Sequence, residues 1–205
     1  MKRCILLGAA PTSDAEPLKK YIQPDDFIIA ADGGIRLAEK LDILPHLMVA
    51  DHDSSAPVEG VKAISLPVEK DVTDTAAAMQ LAYDRGYRDF TLLGCLGGRL
   101  DHTIACLISS RRFAERGCRV LLADSKHELT VLLPGVYRLP EGDRHLSFFA
   151  LSEYVKGLTL TGVKYPLNQY LLKNDDPLCV SNRVTEGDAA VSFDAGVLLQ
   201  VFSED

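Results

Sequence analysis

The sequence lacks long apolar runs, paired cysteines and an excess of positive charge, and each absence excludes a class of protein. Within its 205 residues, no apolar stretch approaches the roughly 18 residues that a membrane-spanning helix needs. Lysine and arginine total 22 against 29 aspartates and glutamates, which gives a net charge of −7. Such a chain has no surplus of basic residues with which to displace counterions from duplex nucleic acid. We therefore expect neither a membrane partner nor a nucleic-acid partner.

Cysteine usage and the common phosphate-binding motifs give two further exclusions. The five cysteines form no CxxC pair, and four of them lie in apolar segments, where a free cysteine behaves as a small hydrophobic residue. This usage predicts a reduced, cytoplasmic protein. Neither GxxxxGK[ST] nor GxGxxG occurs, which excludes a P-loop and a dinucleotide fingerprint. The remaining composition, with 47% hydrophobic and 25% charged residues, is that of a globular protein.

Residues 1–124 alternate short apolar runs with helical patterns, which predicts an α/β domain with a mostly parallel sheet. The apolar runs are bounded by Gly, Pro or Asp and lack the alternation of a half-buried strand. They lie at 4–8, 27–31, 47–50, 63–66, 90–93 and 119–123. Helices are predicted over 73–85 and 101–115, with Thr73 as the N-cap of the first.

Residues 125–205 lose the helical pattern, which predicts a small all-β sandwich. Short apolar runs separated by Gly, Pro, Asn and Asp lie at 129–133, 137–139, 146–151, 158–161, 178–181, 190–193 and 197–202. The segment Asp194-Ala195-Gly196 predicts a hairpin between the last two runs. Because the boundary near residue 124 is short, we expect two domains, 1–124 and 125–205, that pack together.

Four acidic clusters follow predicted strands in the first domain. They are Ala31-Asp32-Gly33-Gly34, Asp51-His52-Asp53-Ser54, residues 69–74 and residues 97–102. Because the carboxyl ends of parallel strands meet at one edge of a sheet, these clusters are expected to converge. Carboxylates gathered there repel one another without a cation, and oxygen ligands of this kind suit Mg²⁺. Paired glycines and Arg99 supply N–H groups for phosphate oxygens, so the clusters predict a metal–phosphate transfer site.

Each cluster also has a simpler structural interpretation. An aspartate at a strand end is often only a turn or capping residue, which applies to Asp32, Asp53 and Asp101. Thr73 suits a helix N-terminus whether or not it binds a ligand. A nucleotide-sugar glycosyltransferase is a functional alternative, since residues 51–53 would then be a metal-binding DxD motif.

Six motifs in order resemble those of the thiamine pyrophosphokinase (thiamine diphosphokinase) family along nearly the whole chain. They read ADGG at 31–34, DHDS at 51–54, KDVTD at 70–74, LGGRLDH at 96–102, TGVKYPL at 161–167 and SN at 181–182. The resemblance implies an N-terminal catalytic domain for ATP and Mg²⁺ and a C-terminal thiamine-binding sandwich. It also implies a homodimer with shared active sites. The implied reaction transfers the β,γ-diphosphoryl group of ATP to the thiamine hydroxyl, giving thiamine diphosphate and AMP.

The resemblance also implies a role for individual residues. Asp51, Asp53, Asp71 and Asp74 resemble the metal and diphosphate ligands, and Asp71, Asp74 and Arg99 the catalytic residues. The implied ATP contacts are Asp32, Gly33, Gly34, Thr73, Gly97, Gly98, Arg99, Asp101 and His102. The implied thiamine contacts are Tyr165, Ser181 and Asn182.

The chain departs from the family pattern at two sites. Ala50 and His52 stand where the family usually has Gly and Phe in a Gly-Asp-Phe-Asp-Ser motif, so no carboxylate is lost. Tyr165 stands where some members have Trp, and a tyrosine ring also stacks on a cation. A module that binds thiamine without catalysis is the second functional alternative, and release of AMP would distinguish it from the enzyme.

Overall fold

The computed structural model describes residues 1–51, 59–66, 72–185 and 187–205. Two compact units divide the chain, Met1–Ser125 and Lys126–Asp205, called here the first and second unit. The predicted site residues Asp53 and Asp71 lie outside the described residues, and so does His52 of the DHDS motif. Within the described ranges, no helix is both long and apolar enough to cross a membrane.

Parallel strands with intervening helices make up the described part of the first unit. The strands are β1 (Arg3–Leu7), β2 (Phe27–Ala31), β3 (Leu47–Asp51), β4 (Lys62–Leu66), β5 (Asp89–Leu93) and β6 (Arg119–Ala123). The helices are α1 (Ile35–Leu41), α2 (Asp74–Asp84) and α3 (Leu100–Glu115), and a short 3₁₀ helix covers Glu16–Tyr21. All strand pairs in this unit are parallel, which confirms the predicted α/β class.

Strand order in the first unit is β4-β3-β2-β1-β5-β6. The chain therefore leaves β1 toward β2, β3 and β4 on one side, and β5 and β6 lie on the other side. Ligands of open α/β sheets bind outside the carboxyl ends of the strands, at the point where the strand order reverses. In this unit that point lies between β1 and β5, where Leu7 pairs with Leu93. Both strands are buried, as the continuous apolar runs predict.

Two antiparallel sheets form the described part of the second unit. The strands are β7 (His127–Leu132), β8 (Gly135–Arg138), β9 (His145–Ala150), β10 (Tyr154–Thr161), β11 (Leu167–Lys173), β12 (Ala190–Phe193) and β13 (Leu198–Ser203). One sheet has the order β7-β13-β9 and the other β11-β10-β12-β8. Leu146 and Phe148 from β9 share one core with Leu158 from β10 and Val191 from β12. The predicted all-β sandwich is confirmed.

Two local predictions for the second unit are wrong. Residues 178–181 form turns rather than a strand, and the strand β11 was not predicted. Residues 194–196 do not close a hairpin, because β12 pairs with β10 and β8 while β13 pairs with β7 and β9. The segment instead carries the chain from one sheet to the other. Strands of opposite sheets both direct apolar residues into the shared core, so their sequence pattern is the same as that of hairpin partners.

Candidate active site

A cavity of about 410 Å³ lies at the carboxyl ends of β1 and β5. Its lining comes from the loops that follow these strands and β2, from the start of α2 and from the first two turns of α3. The lining residues are Gly8, Ala9, Ala10, Pro11, Asp32, Thr73, Thr75, Gly94, Cys95, Gly97, Gly98, Arg99, His102 and Cys106. Six predicted ATP contacts are among them: Asp32, Thr73, Gly97, Gly98, Arg99 and His102. The cavity occupies the position that the strand order predicts for a ligand.

The other predicted ATP contacts lie beside this cavity. Gly33 lines an adjacent cavity of about 260 Å³, with Arg36 and Lys40 on its wall. Gly34 is buried, and a Cβ atom there would collide with the carbonyl oxygen of Leu7. Asp101 forms an ion pair with Arg99, which lines the larger cavity. The structure therefore explains Gly34 by its close approach to β1 and not by an exposed N–H group.

The loops that follow β1 and β5 are held together through their backbones. The N–H of Gly8 donates to the carbonyl of Leu93 at 2.8 Å, and the N–H of Ala10 donates to the carbonyl of Gly94 at 2.8 Å. A Cβ atom at Gly98, whose φ is +67°, would lie 2.6 Å from Cδ of Pro11. This close packing leaves part of the cavity wall as bare main chain, which a phosphate group can approach.

The first turn of α2 confirms the predicted helix cap. The Thr73 hydroxyl accepts a hydrogen bond from the N–H of Ala76 at 3.2 Å, and Asp74 follows in the first turn. A carboxylate at this end of a helix is stabilised by the helix dipole. Because Thr73 also lines the cavity, its capping role and its predicted place at the site are compatible.

Arg99 forms a two-point ion pair with Asp101 at the start of α3. Its Nη2 lies 2.6 Å from Oδ2, and its Nε lies 3.2 Å from Oδ1. The hydrogen bonds from Arg99 lower the pKa of the Asp101 carboxyl. The two side chains are 71% and 63% exposed, and exposed pairs of this kind contribute little to stability. The guanidinium is thus held at the cavity, and a phosphate can replace its present partner at little cost.

A second, largely apolar cavity of about 300 Å³ lies within the second unit. Its lining residues are Leu160, Tyr165, Leu167, Leu178, Cys179, Val180 and Asn182. Tyr165 and Asn182 are predicted thiamine contacts, and Ser181 lies between two lining residues in sequence. Apolar walls with one aromatic ring and a few polar groups suit a flat organic ligand.

Comparison with known proteins assigns both units. Residues 18–122 match the family model of the thiamin pyrophosphokinase catalytic domain, and residues 136–198 match that of the thiamin pyrophosphokinase vitamin B1 binding domain. The chain belongs to the thiamin pyrophosphokinase family. This membership confirms the resemblance that the six sequence motifs indicate.

Individual members of the thiamin pyrophosphokinase family align over the full chain. Thiamine pyrophosphokinase of Bacillus subtilis is 28% identical over 214 residues, covering 100% of both proteins. The crystal structure of the Bacillus subtilis protein superposes with a TM-score of 0.90 at 26% identity, covering 100% of both chains. A thiamin pyrophosphokinase family protein from Enterococcus faecalis superposes with a TM-score of 0.82 at 31% identity, again covering 100% of both. The architecture is therefore that of the thiamin pyrophosphokinase fold.

The predicted metal ligands of this family member are only partly described. Asp51 is the last residue of β3, and the register places the end of β3 at the same sheet edge as Asp32. Asp74 lies in the first turn of α2. Within the described ranges, no three His, Cys, Asp or Glu side chains form a metal-binding group. The donors that the sheet edge does offer are carboxylate and hydroxyl oxygens, which suit Mg²⁺.

Several cavity residues were not predicted from the sequence. The loop after β1 and the thiols of Cys95 and Cys106 are examples. Strand order would have indicated the loop, because it follows the strand at which the order reverses. The thiols gave no such signal, because both lie in apolar segments and both are only 5% exposed.

Proposed function

We propose that this chain is a thiamine diphosphokinase, which transfers the β,γ-diphosphoryl group of ATP to the hydroxyl of thiamine. The observation that carries the proposal is the match of both family domains, each to a unit with a cavity that contains predicted ligand residues. We assign residues 1–124 to an ATP- and Mg²⁺-binding catalytic domain and residues 125–205 to a thiamine-binding domain.

The proposed reaction forms one bond and breaks another at the β-phosphorus of ATP. The thiamine hydroxyl oxygen bonds to this phosphorus, the bond to the oxygen bridging the α- and β-phosphates breaks, and AMP leaves. The hydroxyl proton passes to a carboxylate, for which Asp71 and Asp74 are the candidates. Such a transfer asks mainly for alignment and charge neutralisation. Arg99 and the backbone N–H groups of Gly97 and Gly98 would bind phosphate oxygens, beside Asp32, Gly33, Gly34, Thr73, Asp101 and His102.

Asp51, Asp53, Asp71 and Asp74 are the residues that would hold Mg²⁺. When bound, Mg²⁺ neutralises phosphate charge and orients the phosphate oxygens. The net charge of −7 makes this contribution important, because the protein as a whole repels a triphosphate. The same negative charge favours the approach of thiamine, which is a cation.

Tyr165, Ser181 and Asn182 form the proposed thiamine site. Tyr165 is 57% exposed and lines the apolar cavity of the second unit, so its ring is accessible for stacking. We also propose that the enzyme is a homodimer in which thiamine binds between the catalytic domain of one subunit and the sandwich of the other. A cytoplasmic location is supported by the cysteines, which are all buried free thiols.

The test is product identification after incubation with ATP, thiamine and Mg²⁺. We expect thiamine diphosphate and AMP in equal amounts, and no turnover when EDTA removes the metal. ADP with thiamine monophosphate would contradict the proposal, and tight thiamine binding without AMP would indicate a binding module. Thiamine-independent hydrolysis of a nucleotide sugar would indicate a glycosyltransferase.

Two variants of α2 provide a matched pair for this assay. Asp74→Asn should lower turnover by several orders of magnitude, since it removes a charge from the proposed metal and proton-accepting site. Asp84→Asn, at the other end of the same helix, should leave turnover unchanged, because its carboxylate is exposed and bonds only to Gln80 in the described hydrogen-bond network.

A further inference from the structure

Asn182 is almost fully buried, and its side-chain amide forms hydrogen bonds within the protein. Its Oδ1 accepts hydrogen bonds from the N–H of Tyr165 at 3.0 Å and from the N–H of Arg183 at 2.9 Å. Its Nδ2 donates to the carbonyl of Tyr165 at 2.8 Å. An amide oxygen has two lone pairs, so Oδ1 has no further acceptor capacity, and Nδ2 keeps one hydrogen. Asn182 is therefore poorly equipped to recognise a ligand by itself.

The same residue is anchored to the sheet through its backbone. Its N–H donates to the carbonyl of Leu146 at 2.8 Å, and its carbonyl accepts from the N–H of Leu146 at 2.9 Å. Leu146 belongs to β9 and is completely buried. Asn182 thus connects a rigid strand of the sandwich to both backbone polar groups of Tyr165.

Tyr165 itself has the opposite character. Tyr165 is 57% exposed, whereas Asn182 is 4% exposed. The two residues line the same apolar cavity. Lys164, whose Nζ lies 5.2 Å from the Tyr165 ring centroid, donates its N–H to the carbonyl of Arg183. Because Val163 also forms an isolated β-bridge with Val184, the backbone of the segment 163–165 is held by residues 182–184, while Tyr165 lines the cavity.

We infer that Asn182 is a positioning residue, which fixes the backbone of Tyr165 so that its ring forms a ready-made wall for thiamine. This inference rests on the proposed thiamine site and refines it, because Tyr165 contacts the substrate and Asn182 acts through Tyr165. A ring held in place before binding loses less conformational freedom when the substrate arrives. Affinity for thiamine should then depend on a side chain whose polar groups are directed at the protein.

The absence of tryptophan from the chain makes the inference directly measurable. Tyr165→Trp introduces the single indole of the chain at the proposed wall of the cavity, and its fluorescence, called here the indole reporter, can be excited selectively. Asn182→Asp, placed in that background, keeps the acceptor for the two N–H groups but sets a carboxylate oxygen against the carbonyl of residue 165 in place of the donor. Asn182→Ala removes every side-chain bond without that repulsion, and it serves if the Asp variant does not fold. Asn174→Asp adds the same charge at an exposed turn and is the control.

We expect both Asn182 substitutions to lower the fluorescence anisotropy of the indole reporter and to shift its emission to the red, with no change in the Asn174→Asp control. In the Tyr165 background, Asn182→Asp should raise KM for thiamine about tenfold, as one lost hydrogen bond implies, while KM for ATP stays constant. A purely structural role would lower the melting temperature without this separation of the two KM values.

The outcomes separate this inference from the proposed function. If thiamine binding falls while anisotropy and emission stay constant, Asn182 is a direct ligand and the positioning inference is wrong. If the signal of the indole reporter changes but KM for thiamine does not, Tyr165 is not part of the thiamine site and the inference is again wrong. If the Tyr165→Trp protein makes thiamine diphosphate but thiamine does not alter its fluorescence, the enzyme assignment stands and the cavity assignment fails. Absence of any thiamine turnover or binding in the unsubstituted protein would overturn the proposed function itself.

Discussion

Single residues at the candidate site combine structural and ligand-binding features, which is why sequence alone could place them only in part. Thr73 caps α2 and lines the large cavity, so the two interpretations of this residue do not exclude each other. Position 34 requires glycine, because a Cβ atom there would collide with the carbonyl oxygen of Leu7. The two residues are far apart in sequence, so no local pattern reveals this constraint. Asn182 carries a motif position but directs its amide at Tyr165. A motif identifies the residues that matter, whereas the fold determines what each one touches.

The predicted role of Arg99 at the phosphate groups can be tested by a conservative substitution. Arg99→Lys keeps the charge but loses the planar fork that now holds Asp101 at two points. We expect KM for ATP to rise about tenfold, with KM for thiamine unchanged, because charge-assisted two-point bonds to phosphate are lost. Arg138→Lys is the control, since Arg138 forms a similarly exposed pair with Asp188 in the second unit. A rise confined to KM for thiamine would move Arg99 to the acceptor site.

Helices and strands could be predicted from the sequence where their residues are continuously buried. The strands β1, β2 and β5 are buried along nearly their whole length, and their apolar runs indicate them directly. The helix α1 has only seven residues and ends at Asp42 in the left-handed conformation, so its pattern is too short to recognise. The strand β11 is mostly exposed, pairs with β10 in an irregular register, and contains Gln169 with a φ of +51°. Leu178, Cys179 and Val180 are apolar because they line a cavity, and their sequence pattern is the same as that of a strand.

The elements β5 and α3 bring Cys95 and Cys106 together at the large cavity, and this leads to a labelling prediction. The hydrogen bond with Cys95 lowers the pKa of the Cys106 thiol, while that interaction and burial raise the pKa of Cys95. Because thiolates are the reactive form, alkylation of Cys106 should increase with pH from a lower pH than for an ordinary thiol. Bound ATP should slow this reaction by filling the cavity.

Peptide mass spectrometry after iodoacetamide treatment measures how pH and ATP change the alkylation of each cysteine. Cys118 follows α3 outside the lining residues, and burial raises the pKa of its thiol, so ATP should leave its slow reaction unaffected. Cys106→Ser should abolish the alkylation that ATP slows, while the slow labelling of Cys118 persists. Equal labelling of Cys106 with and without saturating ATP would place the nucleotide outside this cavity.

Across the whole molecule, the predicted ligand contacts are divided between two units of one chain. The predicted phosphate-handling residues lie within 32–102, and the predicted thiamine contacts lie within 165–182. Each set belongs to a compact unit with a core of its own. A reaction in line at one phosphorus atom requires both substrates in one place. A twofold dimer satisfies this requirement when the sandwich of one subunit completes the catalytic domain of the other.

Complementation between two variants with different defects tests this shared site. One variant carries Asp74→Asn, and the other carries Ser181→Ala with Asn182→Ala, which has little activity when thiamine is kept well below the KM of the unsubstituted protein. In a mixed dimer with shared sites, one site holds both defects and the other holds none. With free exchange in an equal mixture, half of the dimers are mixed and half of their sites are intact, so activity should recover to about a quarter of wild type. If every subunit forms its own site, each site stays damaged. Absence of recovery, with subunit exchange shown independently by labelled chains, would therefore contradict a shared site.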